Sequence, residues 1–152
     1  MKDYNITKDI METLWCDWTT SFTPMPEFSP SDMRFTAKKD GKLDRHFNVE
    51  IKSRNQDMSK YDSFPLTARK LKRLKKDTQP DERLIYVVLL NDSEYFIYDL
   101  YMVDWDDVEL RDWRIKKQEY TIDGSDYEVT PTYFIPSYQA LRHGSYAYDK
   151  QT

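Results

Sequence analysis

The sequence predicts a mixed α/β domain in which an amphipathic strand, a basic helix and an apolar strand follow one another. From Arg45 to Arg54 apolar and polar side chains alternate, which is the period of a strand with one buried face. Basic residues at helical spacing follow within 67–77, and the run LIYVVLL at 84–90 has the length and composition of a buried strand. This order favours a βαβ crossover.

The composition is that of a folded chain with no disulfide or ordinary zinc site. Of 152 residues, 39% are hydrophobic and 33% charged, so there is enough apolar mass for one core and we expect a single domain over 1–152. Cys16 is the one cysteine and there are two histidines, too few for a disulfide or an ordinary structural zinc site. No apolar stretch resembles a signal peptide or membrane span, so we expect a cytoplasmic protein without membrane contact.

The charge is unevenly distributed. The net charge is −4, yet six positive charges fall within the eight positions 69–76. Without those six of the 23 basic residues, 17 remain against 27 acidic ones. A basic strip on an acidic body favours contact with a polyanion, and the alternative is a solvated helix face that balances its own chain.

The first predicted element is a helix from about Asn5 to Trp18, with Asn5 or Thr7 as its N-cap. Its apolar residues recur at helical spacing: Ile10, Met11, Leu14, Trp15 and Trp18. Glu12 lies on the flank of this stripe, where it could reach a site at the edge of the core or face water. Residues 19–31 contain three prolines and are predicted to be a loop.

A β-hairpin is predicted next. Residues 32–38 alternate like 45–54, and Asp40-Gly41-Lys42 between them suits a three-residue loop with glycine in a left-handed conformation. The apolar residues of both strands must share one face, which requires an odd loop length. The resulting pairs are Lys39 with Leu43, Phe35 with Phe47, Met33 with Val49, and Asp32 with Glu50.

This register places chemistry on one face of the hairpin. Asp32 and Glu50 lie side by side, and Lys52 is one step along the same face. Like charges placed opposite each other destabilise a sheet unless something binds them, and a hard cation is the obvious candidate. Two carboxylates and an amine could hold such an ion and activate water for phosphodiester hydrolysis. The alternative is a solvated strand face with one favourable ion pair.

The basic helix is predicted from about Thr67 to Asp77, after a loop at 55–63. Leu71 and Leu74 form its narrow apolar seam. Another face carries basic residues at spacings of three and four: Arg69, Lys72, Arg73 and Lys76.

The last third of the chain is predicted to be mainly β-structure. Residues 94–100 should form a hairpin with the apolar strand at 84–90, whereas 101–113 cannot be assigned. Residues 114–122 and 127–135 should form a second hairpin around Asp123-Gly124. A helical turn at 137–141 and a loose tail from His143 complete the prediction.

The order of a helix, a hairpin whose second strand carries Glu50-Ile51-Lys52, a basic helix and an apolar strand resembles the PD-(D/E)XK nuclease superfamily. The resemblance covers roughly residues 5–100. It implies the restriction-endonuclease-like fold, a single-domain α/β core of helix, antiparallel hairpin strands, basic helix and central strand, here with a C-terminal β-hairpin extension. It also implies a Mg²⁺-dependent DNA endonuclease.

Three catalytic residues match the family pattern. Asp32 matches the first acidic ligand, although Ser31 separates it from Pro30 where the family has proline directly before aspartate. Asp44 is the fallback for that ligand. Glu50 matches the second acidic ligand, and Lys52 matches the catalytic lysine.

The resemblance also implies a metal site and partners. Mg²⁺, with Mn²⁺ as the alternative, would be held by Asp32, Glu50, the Ile51 carbonyl and a first-helix glutamate that corresponds to Glu12. DNA phosphates would contact four residues of the basic helix: Arg69, Lys72, Arg73 and Lys76. Double-strand cutting in this family usually needs a homodimer. Two alternatives remain, a catalytically inactive binding module on the same fold for nucleic acid or protein, such as an accessory or anti-defence protein, and a purely structural domain.

Overall fold

The computed structural model describes residues 2–55, 62–91, 93–116 and 127–146. Two helices, nine strands and two 3₁₀ turns occur within these ranges. In chain order they are α1 (Lys2–Leu14), β1 (Thr19–Pro24), β2 (Met33–Lys38), β3 (Arg45–Arg54), β4 (Ser63–Thr67), α2 (Ala68–Asp77), β5 (Glu82–Leu90), β6 (Glu94–Asp99), a 3₁₀ turn (Trp105–Asp107), β7 (Glu109–Lys116), β8 (Tyr127–Pro136), a second 3₁₀ turn (Ser137–Gln139) and β9 (Arg142–Ser145).

Six strands form the main sheet in the order β1-β2-β3-β5-β6-β9, and a second sheet has the order β4-β8-β7. The β3–β5 pair is parallel, and every other pair is antiparallel. Because α2 connects β3 to β5, the predicted crossover and mixed α/β class are confirmed. The position of β3 between β2 and β5 shields the middle of this strand on both edges.

The β2–β3 register is the predicted one. Met33 pairs with Val49 and Phe35 with Phe47. The ladder ends at Ala37 and Arg45, so the predicted pair nearest the turn, Lys39 with Leu43, is not formed. Instead the Lys42 amide donates to the Lys39 carbonyl at 3.1 Å, with Gly41 at φ +74°, a conformation that glycine adopts at little cost.

The main sheet has a hydrophobic cluster on each face, and β5 contributes to both. Its residues Ile85, Val87 and Leu89 join the α1 cluster, whereas the alternate residues join the α2 cluster. The α1 cluster also contains Ile10, Met11, Met33, Phe35, Ala37, Phe47, Val49 and Ile97. The α2 cluster contains Phe64, Leu66, Leu71, Leu74, Leu84, Tyr86, Val88, Leu90, Phe96, Tyr98, Leu100, Val103 and Ile135. The second sheet therefore packs on the α2 side.

Helix α2 is fixed at both ends over β3. Thr67 caps its N-terminus by accepting a hydrogen bond from the Lys70 amide at 3.1 Å. The side-chain amide of Asn48 donates to Oγ1 of Thr78, the C-cap residue, at 3.0 Å. Between these ends Leu71 and Leu74 are buried, each contributing about 1.5–3 kcal/mol. The predicted seam is thus correct, and it sets the rotation of the helix over the sheet.

Several predicted elements need correction. Residues 19–24, predicted as loop, form β1 at the edge of the main sheet, where Pro24 is tolerated because an edge strand leaves some backbone amides unpaired. Residues 63–67 form β4, and 142–145 form β9 where a loose tail was expected. Helix α1 begins at Lys2, so the predicted N-cap at Asn5 or Thr7 is wrong.

The C-terminal hairpin is formed by β7 and β8 in antiparallel pairing. Its strand β7 begins at Glu109, within the stretch that the sequence left unassigned. The predicted turn at Asp123-Gly124 lies outside the described residues. None of the helices in the described ranges is both long enough and apolar enough to cross a membrane.

Candidate active site

The even-numbered residues of β3 face α2 and form the floor of the candidate site. Phe47 and Val49 point to the opposite side, into the α1 cluster, so alternation places Glu50 and Lys52 under α2. Glu50 lies mid-sheet and is 8% exposed, whereas Lys52 is exposed nearer the end of the strand. Lys52 has no hydrogen-bond or ion-pair partner within the part of the chain that the structure describes. Its ammonium is therefore available to a ligand.

The structure brings Asp32 beside Glu50. Asp32 immediately precedes β2, and its amide donates to the Val49 carbonyl at 2.9 Å. Its Oδ2 accepts a hydrogen bond from the Ile51 amide at 2.7 Å. These two bonds fix the Asp32 carboxylate against the strand that carries Glu50, although Asp32 precedes the β2–β3 ladder and the predicted strand pair of Asp32 with Glu50 is not formed. The roles of both residues as metal ligands stay a prediction.

The proximity of the two carboxylates has an electrostatic consequence. The pKa of Glu50 is raised to about 8. Burial is the largest cause, and the hydrogen bond and negative charge of Asp32 add to it. The Lys70 ammonium, 2.9 Å from Oε2 of Glu50, acts in the opposite direction without cancelling the effect. At neutral pH the acidic pair therefore retains a proton on Glu50.

Lys70 is a site residue that the sequence analysis did not select. It belongs to the basic run, but it was left out of the predicted DNA-binding face. The signal was present, because Lys70 is four residues before Leu74 and so lies beside the buried seam of α2. A basic residue beside the seam points toward the sheet rather than into solvent.

A cleft of about 500 Å³ opens between α2, the end of β3 and the second sheet. Five basic side chains and two acidic ones line it, so it has an excess of positive charge. The lining residues are Glu50, Lys52, Arg54, Pro65, Leu66, Thr67, Arg69, Lys70, Arg73, Tyr86, Trp113, Glu128 and Thr132. Both acidic residues are paired with helix residues, Glu50 with Lys70 and Glu128 with Arg69 at 2.8 Å.

Only part of the predicted basic face of α2 lines the cleft. Arg69 and Arg73 line the cleft, whereas Lys72 and Lys76 are exposed residues that are not among its described lining. The second wall was missed by the sequence analysis, since β4 was not predicted and the stretch containing Trp113 was unassigned. Arg54 fixes that wall to β3 by donating to the Pro65 carbonyl at 2.9 Å.

The other predicted acidic ligands lie elsewhere. Glu12 is exposed on α1, which packs on the opposite face of the main sheet, and its carboxylate is 3.8 Å from the Lys8 ammonium. Asp44 is at the other end of β3, 3.8 Å from the Lys38 ammonium. The structure therefore brings neither residue to Glu50, and Asp32 rather than Asp44 is its acidic neighbour.

The residues present fit a hard divalent cation. Within the described ranges no group of three or more acidic, histidine or cysteine side chains could hold a metal ion. The two carboxylates that would hold one are those of Asp32 and Glu50, which lie beside each other. Mg²⁺ in proteins is commonly held by one or two carboxylates, with water and substrate phosphate as the remaining ligands. A cation would also offset the charge repulsion that contributes to the raised pKa of Glu50.

Comparisons with known proteins identify the fold. No protein-family model matches this sequence, and no curated protein matches it significantly in sequence. Among solved structures, the chain is similar to Hjc, a Holliday junction resolvase from the archaeal hyperthermophile Archaeoglobus fulgidus. The TM-score is 0.52 and the identity 13%, over 93% of this chain and 92% of that one.

At 13% identity the similarity to Hjc concerns the fold. The similarity extends over nearly all of both chains, and the helix, hairpin, helix and strand order of residues 2–90 is the one that the sequence resemblance implies. This chain therefore has a mixed α/β, restriction-endonuclease-like fold similar to that of Hjc.

Proposed function

We propose that this protein is a Mg²⁺-dependent DNA endonuclease that hydrolyses phosphodiester bonds with Asp32, Glu50 and Lys52. One observation carries the proposal: the Asp32 carboxylate lies beside that of Glu50, and Glu50 lines a cleft with excess positive charge together with Lys52, which has no partner within the described residues. The nuclease fold supports it. Glu50 is buried, and burial together with the neighbouring Asp32 carboxylate raises its pKa to about 8, a perturbation that is common at functional sites.

The Asp32 and Glu50 carboxylates would hold the cation, and the Ile51 carbonyl is the third donor that the family resemblance implies. The ion, when bound, would supply Lewis-acid polarisation of the scissile phosphate and lower the pKa of a nearby water. Lys52 projects from the same face as Glu50 and would donate to a non-bridging phosphate oxygen, where negative charge builds up in the transition state.

The remaining basic residues of the cleft would position the substrate. Arg73 has no ion-pair partner within the described residues, so its guanidinium is available to a backbone phosphate. Contacts of this kind fix the strand without reading its sequence. The similarity to a Holliday junction resolvase supports DNA as the substrate.

One chain carries one set of these residues, so a monomer would nick one strand at a time. Cleavage of both strands in one event would require a homodimer with two sites. The ratio of nicked to linear plasmid therefore reports on the state of assembly that acts on DNA.

A catalytically inactive binding module is the second candidate, and one contact favours it. The Lys70 ammonium lies 2.9 Å from Oε2 of Glu50, and a carboxyl group that keeps its proton at neutral pH and contacts an ammonium needs no cation. On this reading the positive cleft binds a polyanion or an acidic protein surface without cleaving it.

Plasmid cleavage separates the two candidates. We expect the wild-type protein to nick supercoiled DNA with Mg²⁺ and to be inert in EDTA. Asp32→Ala, Glu50→Ala and Lys52→Ala should each lower the rate by about 100-fold or more, because each removes a group that acts on the transition state.

Lys42→Ala is the matched control. Lys42 is an exposed lysine in the turn at the other end of β3, and its replacement should leave the rate unchanged. Thermal melting establishes that every variant is folded. If wild type and all variants are equally inert while DNA binding persists, the protein is a binding module.

A further inference from the structure

The β7 strand places a large aromatic ring in the wall of the cleft. Trp113 is 39% exposed, whereas the other three tryptophans are half-buried. It lines the same cleft as Glu50 and Lys52, from the opposite side. An exposed tryptophan loses the hydrophobic stabilisation that burial would give it, so its position in a cationic cleft calls for an explanation.

The ring is held in place from one side. Trp113 packs against Phe134 in an edge-to-face arrangement with ring centroids 5.0 Å apart. The Arg111 guanidinium lies 4.0 Å from the Phe134 centroid and 5.4 Å from the Trp113 centroid. These contacts orient the indole and leave more than a third of the residue exposed. The result is a rigid aromatic surface beside a guanidinium.

The size and charge of the cleft favour a single strand. A volume of about 500 Å³ is on the scale of a small-ligand pocket, which suits a nucleotide rather than a duplex. Proteins that bind unpaired strands combine a positive groove, which follows the backbone, with aromatic side chains on which bases stack. Lys52 and Arg73 on one wall and Trp113 on the other provide both components.

We propose that Trp113 stacks on an unpaired base of the DNA strand, so that the preferred substrate has single-stranded character next to the scissile phosphate. This inference deepens the proposed function and rests on it for the position of that phosphate. The stacking itself requires neither a cation nor cleavage.

The test is binding of an oligothymidylate and of a duplex of equal length in EDTA, at one fixed salt concentration. Trp113→Leu should weaken binding of the single strand by about tenfold, since stacking contributes roughly 1–3 kcal/mol per base. Duplex affinity should change little. Trp113→Phe keeps a ring and should retain most of the affinity for the single strand.

Tyr138→Leu is the matched control, because Tyr138 is an exposed aromatic residue that is not among the described lining of the cleft. Its replacement should leave both affinities unchanged. Photocrosslinking of the wild-type protein to a single strand that carries 5-iodouracil needs no variant to fold, and the crosslink should map to Trp113.

The proposal is overturned if folded Trp113→Leu binds the single strand like wild type, if it loses both substrates equally, or if the crosslinks avoid β7. Because the assay contains no divalent cation, its outcome is separate from that of plasmid cleavage. If only the stacking proposal fails, the protein is a nuclease with no preference for unpaired bases. If only the cleavage proposal fails, it is a single-strand binding protein.

Discussion

The Lys70 ammonium lies 2.9 Å from Oε2 of Glu50, so a residue from α2 forms an ion pair with the buried carboxylate of β3. Asp32, the residue before β2, approaches the same carboxylate. Glu50 thus has one partner of opposite charge and one of like charge. The balance between them, together with burial, sets the pKa of Glu50.

Replacing Lys70 by methionine should raise the pKa of Glu50 above its value of about 8. Lys70 lowers that pKa through its charge and hydrogen bond, and methionine supplies neither. The titration of the Glu50 carboxyl carbon, followed by NMR in EDTA, measures the change. Lys72→Met is the matched control on the exposed face of α2. A pKa that stays the same or falls in Lys70→Met contradicts the assigned ion pair.

The stability of the metal-free protein should reflect the raised pKa of Glu50. The folded pKa of about 8 lies above the unfolded value of 4.5, so the folded state binds the extra proton between these values. The Glu50 contribution is therefore fully present below pH 4.5, falls by about 1.4 kcal/mol per pH unit as the pH rises, and levels off above about 8.

Glu50→Gln cannot ionise and should lack this term. The free energy of unfolding of Glu50→Gln minus that of wild type, from urea denaturation in EDTA, should increase from pH 5 to pH 8. A difference that is flat or decreases over this range would show that Glu50 ionises normally in the fold.

Binding of Mg²⁺ should release a proton near neutral pH. A cation requires Glu50 to be ionised, whereas at pH 7 this residue holds a proton because its pKa is about 8. Calorimetry in two buffers of different ionisation enthalpy measures the number of protons released. We expect close to one proton released per Mg²⁺ bound at pH 6.5 and almost none at pH 9. The affinity for Mg²⁺ should rise between these two pH values. The same heats in both buffers at pH 6.5 would exclude this coupling.

Two neighbouring residues of α2 should differ in their effect on DNA binding. Arg73 lines the cleft and Lys72 does not belong to its described lining. Arg73→Ala should weaken binding and reduce the slope of log affinity against log salt by about one, because one phosphate contact is lost. Lys72→Ala removes the same charge at an adjacent position and should leave the slope unchanged. Equal effects would indicate a diffuse electrostatic interaction without a defined cleft.

The parts of the fold that the sequence predicted are those with strong periodicity. The pairing of Met33 with Val49 follows from alternation on both strands and an odd loop. Asp32 lies just before this ladder and still approaches Glu50, because its carboxylate accepts a hydrogen bond from the Ile51 amide. Leu71 and Leu74 likewise predicted the buried seam of α2. In each case a local pattern determines which residues face the core.

The elements that the sequence missed depend on distant partners. Strands β1, β4 and β9 are short, and β1 and β4 contain Pro24 and Pro65, so their formation depends on the strands they pair with. The role of Lys70 required the rotation of α2, which Asn48 helps to fix from β3. The sequence alone could not indicate that Trp113 faces Glu50 across a cleft, because β4, which connects the two walls, was not predicted.

The most direct test of the acidic pair is the position of a Mn²⁺ ion in crystals of the protein, found by anomalous scattering at the manganese edge. We predict a peak within coordination distance of carboxylate oxygens of both Asp32 and Glu50, and no such peak in Glu50→Gln. The absence of that peak from the wild-type protein at saturating Mn²⁺, or an ion bound away from both residues, would contradict the proposed metal site and the hydrolysis that depends on it.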